Sequence, residues 1–336
     1  TNFDVVSGPG SIDHAVNILS FSDTGVVSVV ASQAGDANWN AAIPATNLVV
    51  VSVRRISGGL VPGPYVWTNL GAGVGGLVRA LAVDTNGDLY AGGEFTNAGG
   101  VAANRIAKWD GTNWSALGIG VDNSVRALAC DSGSALYAGG LFTTAGGSAA
   151  SKVAKWDEAG SGWTNLRARI DGGNSPGIHS LAAAPNGSLY AGGTFTTPGN
   201  RIAKWNGAIW SDLGAGIDDD NIVYTATVGT NGDLYVGGTF TKAGGQWAGY
   251  VAKWNGANWS ALSAGVGGTV DALAFDASGY LYAGGRFTEA GWTSAGRIAK
   301  WNGKTWVALG AGLNNAARAL AVDLNGNLYA GGEFTV

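Results

Sequence analysis

Side chains able to do acid–base, nucleophilic or ligand chemistry are sparse in this 336-residue chain, where charged residues make up 12% and there are two His and one Cys. Those that stand out recur at one place in a repeated pattern. Arg79, Arg126, His179, Tyr224, Asp271 and Arg318 each lie one residue into a segment of the kind Val78-Arg-Ala-Leu-Ala-Val. A second variable series, Glu94, Leu141, Thr194, Thr239, Arg286 and Glu333, directly follows a Gly-Gly pair. Guanidinium, carboxylate, imidazole and phenol groups gathered at one place would hold a ligand by charge-assisted hydrogen bonds. Trp247 and Trp292 stand in Gly-rich loops outside the pattern. Each is a candidate stacking platform for a sugar or a partner, the competing reading being a cap on a hydrophobic rim.

Two acidic stretches invite a metal reading. Asp218, Asp219 and Asp220 are consecutive and have no counterpart in sister loops, so they are the candidate ligands for a hard cation such as Ca2+, against a solvated acidic loop. The run from Asp84 to Asp88 alternates oxygen-bearing side chains as a calcium loop does. Its sisters at Ala184–Ser188, Gly229–Asp233 and Asp276–Tyr280 lack one or more of those oxygens, so what they share is a glycine-containing turn. Catalytic patterns are scarce: no Gly-x-Ser-x-Gly elbow, His-rich metal spacing or phosphate-cradling loop is present. His14 is far in sequence from any partner. A carboxylate pair assembled from different repeats stays open. Cys130 stands where sister repeats have Val83 and Val228, which is a small apolar core position.

The elements that must position these groups come from a phrase, Leu-Tyr-(Ala/Val)-Gly-Gly-x-Phe-Thr, that occurs six times. Its tyrosines are Tyr90, Tyr137, Tyr190, Tyr235, Tyr282 and Tyr329, spaced by 47, 53, 45, 47 and 47 residues. Repetition at this period means supersecondary units that bury their apolar surface only against one another. Each unit reads as four short strands: Val78–Val83, then Leu89 onward, then Arg105-Ile-Ala-Lys-Trp, then Asn113-Trp-Ser-Ala-Leu. Asn-Gly joins the first strand to the second, and Asp-Gly or Asn-Gly the third to the fourth, which predicts type I′ hairpin turns with positive φ at both central residues. Helical periodicity is absent.

Four strands per unit with Trp and Gly at fixed places predict an all-β fold, a β-propeller of six four-stranded blades, with seven as the alternative. The fourth-strand Trp occurs six times, from Trp67 to Trp306, and the third-strand Lys-Trp five times, from Trp109 to Trp301. Ring closure is therefore expected through a composite blade, its missing third strand within Val49–Ser57. Such closure hides sheet edges. The shared Trp and Tyr read as structural rather than as a sugar-binding ladder, with rings packing on the flat gap left by each Gly-Gly. The lysines before the third-strand Trp read as stems lying on the adjacent blade, with cation–π contacts. Residues 1–53 form a separate N-terminal β segment, with strands expected at Phe3–Ser7, Ile18–Phe21, Val26–Ser32 and Asn47–Val53. Residues 54–336 form the propeller.

The phrase Ile-Ala-Lys-Trp-(Asp/Asn)-Gly-x-x-Trp, with Leu-Tyr-Ala-Gly-Gly-x-Phe-Thr, resembles repeats of bacterial secreted propellers and of the fungal cortical polarity-marker family over most of residues 67–336. The stretch from Val26 through Trp39 to Ala42 resembles the end of a bacterial Ig-like module. These resemblances imply the propeller fold and an extracellular or cell-surface location, and they carry over no catalytic residue.

Composition narrows the partners. A net charge of −4 with 19 Lys plus Arg lacks the basic footprint of a nucleic-acid binder. No apolar run approaches the ~18 residues of a membrane helix. The chain starts at Thr1 without Met or signal peptide, which reads as a mature product or a fragment. The leading functional expectation is a non-enzymatic surface module that displays loops for adhesion or assembly within a larger multidomain protein, its partners being surface proteins or glycans. Alternatives are a lectin with pockets between blades and a carbohydrate-active enzyme. No cofactor is expected beyond the Ca2+ reading.

Overall fold

The computed structural model describes the backbone of Asn2–Ser7, Gly10–Asp13, Ile18–Phe21 and Ser28–Ser32, and residues 69–335 except 159–161, 168–169, 174–175, 219–220 and 324. In the N-terminal part, Asn2–Ser7 pairs antiparallel with Ser28–Ser32, and Gly10–Asp13 with Ile18–Phe21. The strand Gly10–Asp13 is additional to those expected. Asn47–Val53, His14 and Trp67 lie outside the described residues, as does the third strand sought within Val49–Ser57.

From Val78 onward the chain makes five four-stranded antiparallel sheets, followed by the first hairpin of a sixth, Ala317–Val322 with Leu328–Gly332. The first sheet contains Val78–Val83, Leu89–Gly93, Ile106–Trp109 and Trp114–Ala116 in sequence order across the blade. First strands of successive blades are spatial neighbours, so the blades stack face to face around an axis as in a β-propeller. Among the described residues four hydrophobic cores lie between two blades, one joining Tyr90 and Ile106 to Leu136, Phe142 and Trp156, and a fifth is built on the first blade around Phe95 and Trp114. The Phe of each complete repeat, Phe95, Phe142, Phe195, Phe240 and Phe287, is 0% exposed. Cys130 packs at the margin of one such core, and burial pushes its thiol up to about 12.

The Gly-Gly pairs do not seat aromatic rings; they make room for two other things. A Cβ on the first glycine would meet the next blade's aliphatic side chain, as Gly139 would meet Ile178 Cγ2 at 2.6 Å. A Cβ on the second would strike the blade's own backbone, as Gly140 would strike the Ser124 carbonyl oxygen at 2.1 Å. The first glycine therefore lets blades approach, and the second lets strands pair closely beside a bulge.

Aromatic residues act as staples. Third- and fourth-strand indoles pair within each complete blade, as Trp109 and Trp114 do at 5.6 Å between centroids. The fourth-strand Trp also donates across the blade interface: Trp163 Nε1 to the Leu117 carbonyl at 3.0 Å, Trp259 Nε1 to that of Leu213 at 2.7 Å. Lys108, Lys155, Lys204 and Lys300 lie over the tyrosine of their own blade, not the adjacent one, as Lys155 does 5.6 Å from the Tyr137 centroid. Lys108 also reaches across, to Glu158.

The Asn-Gly turns are not of the expected kind. Gly87 has φ of +90° and donates to the Asp84 carbonyl, but Asn86 has no positive φ. In the second blade Ser134, with φ of +64°, takes the place of that glycine. Asp84 organises the turn: its Oδ1 accepts the amides of Asn86 and Asp88, and its Oδ2 accepts the Tyr90 hydroxyl. Asp131, Asp276 and Asp323 repeat this, with the Tyr hydroxyl 3.1, 3.0 and 3.2 Å away. The paired positive-φ turns occur instead between the second and third strands, where an expected plain loop forms a short hairpin around Gly99-Gly100, Gly146-Gly147, Gly244-Gly245 and Gly291-Trp292.

Both ends of the stack are uncovered among the described residues. No atom lies within 4 Å of a Cβ placed on Gly331. Tyr329 is 44% exposed and Val83 60%, whereas Tyr90 is 0% exposed. The composite blade through which ring closure is expected draws on Val49–Ser57 and Trp67, which lie outside the described residues.

Candidate axial binding site

One end of the stack carries the starts of the first strands, the ends of the second, the inter-blade loops and the short hairpins, because successive strands run antiparallel. The variable polar series sits here on a shared backbone feature. In all six blades the register of the first strand slips at the variable residue: between Val78 and Ala80, Val125 and Ala127, Ile178 and Ser180, Val223 and Thr225, Val270 and Ala272, and Ala317 and Ala319. Arg79, Arg126, His179, Tyr224, Asp271 and Arg318 are the bulged residues. A β-bulge leaves one residue unpaired and re-aims its side chain. The second glycine of each Gly-Gly accommodates the crowding opposite.

These side chains meet one another. Arg79 Nε donates to Glu94 Oε1 at 2.7 Å, which holds the Glu94 carboxyl below its ordinary range. Asp271, with an 8% exposed side chain, is shared by Arg286 at 3.3 Å and Arg318 at 3.2 Å. Burial pushes the Asp271 carboxyl up, and the two guanidiniums pull against that. Arg318 Nε also donates to Glu333 at 3.0 Å. The second variable series thus supplies counter-ions to the first, and Tyr224 lies within electrostatic reach of both Arg126 and Arg318.

The remaining group differs in kind. Arg126 Nη1 lies 3.0 Å from His179 Nε2. A guanidinium only donates, so Nε2 is the acceptor and the imidazole is neutral with its proton on Nδ1. Burial first, then the charges of Arg126 and Arg79, lower the His179 pKa to about 4. The Tyr224 ring meets the imidazole edge-on at 5.8 Å. Leu141 and Thr194 occupy the neighbouring places that hold carboxylates in the first and sixth blades.

Other candidates sit on the same end. Trp247 is 59% exposed and Trp292 85%, so neither caps a buried rim. Trp292 is the second residue of its turn with φ of +69°, where three sister hairpins have glycine. A bulky residue in that region costs about 1–2 kcal/mol. Asp218 fastens an inter-blade loop to the next hairpin: its carboxylate accepts the Lys242 amide at 3.2 Å and the Asn221 side-chain amide at 3.1 Å. Asp122 does the same in a sister blade, accepting the Thr143 amide and hydroxyl at 2.7 and 2.6 Å. This clamp gives Asp218 a scaffold role that the sequence reading passed over. Asp219 and Asp220 lie outside the described residues, and among those described no cluster of three or more His, Cys, Asp or Glu forms.

Comparison with known proteins supports the fold. No protein-family model and no curated protein matches the chain. Among solved structures it is similar to the extracellular domain of BT4673 from B. thetaiotaomicron, described in one case as a one component system and in another as a hybrid two component system. The first match has a TM-score of 0.54 at 14% identity over 76% of this chain. The second has a TM-score of 0.52 at 12% identity over 98% of it. This chain spans 32% and 37% of those two chains.

Proposed function

We propose that this chain is a non-enzymatic extracellular binding module whose ligand surface is the axial end bearing the bulged residues and the hairpins. The observation that carries this reading is the division of labour within the repeat. Tyr, Trp, Phe and Gly recur and are consumed by packing, whereas the positions that vary sit on six equivalent bulges directed to one place. A rigid frame with variable groups at one end is the arrangement of a recognition surface. The extracellular nature of the similar BT4673 domains supports placement outside the cell. Partners are surface proteins or glycans, and residues 1–53 form a separate β unit of a larger surface protein, with a composite blade closing 54–336.

A glycan ligand is the second reading, favoured by one observation: Trp292 keeps a strained backbone while exposing its ring. The test is binding of the full chain to a glycan array and to surface-protein extracts. Retention of ligand that falls on combined Trp292→Ala and Arg126→Gln substitution, with folding intact, supports the proposal. Binding that these changes leave untouched refutes the assigned surface.

A further inference from the structure

The Arg126 neighbourhood carries an inference about ligand class, which rests on the binding-module reading. Four arginines stand in the two variable series, and Arg79, Arg286 and Arg318 each have a carboxylate within 3.3 Å. Arg126 has none. Its one hydrogen bond among the described residues goes to His179, which is neutral. The Tyr224 hydroxyl has no hydrogen-bond partner among the described residues, and both side chains are half-buried. The charges that reach it are those of Arg79 and Glu94, which are already paired with each other, so this half-buried guanidinium forfeits solvation without a counter-ion of its own. An isolated arginine needed only for stability would be better replaced by an apolar residue. The partly buried cation and the open phenol together form a site for an anion with further hydrogen-bonding groups.

We propose that this site binds a carboxylate-bearing saccharide, with Arg126 as counter-ion to the carboxylate and Tyr224 hydrogen-bonding the sugar. The Arg126 guanidinium presents parallel N–H groups that suit a carboxylate in two-point fashion. The phenol serves a hydroxyl, and the exposed indoles at the same end offer surfaces on which further sugar rings stack. An acidic peptide would satisfy Arg126 but would leave those hydroxyl- and ring-directed groups without a role.

The experiment is calorimetric titration of the full chain with a short oligogalacturonate, its methyl ester and an oligoglutamate peptide. The acid form binds, and the ester binds about tenfold more weakly or worse, as expected for losing a charge-assisted pair. Arg126→Gln abolishes the preference for the acid, while Arg126→Lys retains part of it. Lys304→Gln, the same charge change in an exposed turn at the opposite end, leaves binding unchanged. The melting temperature of Arg126→Gln equals or exceeds that of the unaltered chain, which a structural arginine would not allow. Equal binding of acid and ester, undiminished binding by Arg126→Gln, or binding of the peptide but not the uronate overturns the inference. Should only a neutral glycan bind, in a Trp292-dependent way, this inference falls and the binding-module reading stands. Should nothing bind at this end, both fall.

Discussion

Gly139→Ala tests the packing rule that spaces the blades. The added Cβ would lie 2.6 Å from Ile178 Cγ2 and 3.2 Å from Leu181 Cδ1. Carbon atoms prefer about 3.5–4.0 Å, and overpacking a filled core costs about 1–3 kcal/mol. Against this, alanine restricts the unfolded chain and returns about 0.4–1 kcal/mol. The net expectation is destabilisation by about 1–2 kcal/mol. The fifth blade supplies an internal control. Gly284 faces Ala317 where its sisters face Val or Ile, and its Cβ would lie 3.0 Å from the Ala317 Cβ. Shifts of a few tenths of an ångström suffice there, so Gly284→Ala stays within about 0.5 kcal/mol of the unaltered chain. Ile178 is 0% exposed, so Ile178→Ala alone costs about 2–5 kcal/mol. In that background only the Cβ of residue 178 remains, 3.1 Å away, so the Gly139→Ala cost falls to within about 0.5 kcal/mol, a coupling of about 1–2 kcal/mol in a double-mutant cycle. Urea unfolding of the four chains measures it. Equal costs for Gly139→Ala and Gly284→Ala, or a Gly139→Ala cost that persists in the Ile178→Ala background, would refute the reasoning.

His179 makes stability depend on pH. Its folded pKa of about 4 lies below the ordinary 6.5, so the unfolded chain binds more protons between those values and stability rises with pH across that window. Unfolding at pH 7 and pH 4.5 should show about 2 kcal/mol more acid loss in the unaltered chain than in His179→Asn; equal losses would disprove burial of a neutral imidazole. Asp276→Ala strips acceptors from the Ser278 and Tyr280 amides and the Tyr282 hydroxyl, and should cost about 1–3 kcal/mol in denaturant unfolding. A neutral result would show that the turn holds itself. Trp292→Gly removes the φ of +69° from a non-glycine residue and should stabilise the chain by up to about 1 kcal/mol while weakening ligand retention. A drop in melting temperature would mean that the indole packs.

Much of this protein is legible in its sequence because repetition isolates what packing requires. Tyr, Trp, Phe and Gly at a period near 47 residues specify short antiparallel strands stacked as blades, since no single unit can bury its own apolar face. The variable series and the exposed Trp pair were legible as well, because what a scaffold does not constrain is free to differ. Tertiary structure decided how those positions act. The bulge that aims Arg79 and its counterparts breaks the two-residue alternation by one place, which reads in sequence as an ordinary polar residue in a strand. Whether an arginine has a counter-ion depends on distances across blades: Asp271 serves Arg318 from 47 positions away, whereas the hydrogen bond Arg126 makes among the described residues goes to His179. The Gly-Gly pair looked like a seat for aromatic rings, and the folded chain gives that space instead to a neighbouring aliphatic side chain and to the backbone. Local patterning sets the strands and the order of packing; charge pairing and steric fit are properties of atoms that only the folded chain brings together.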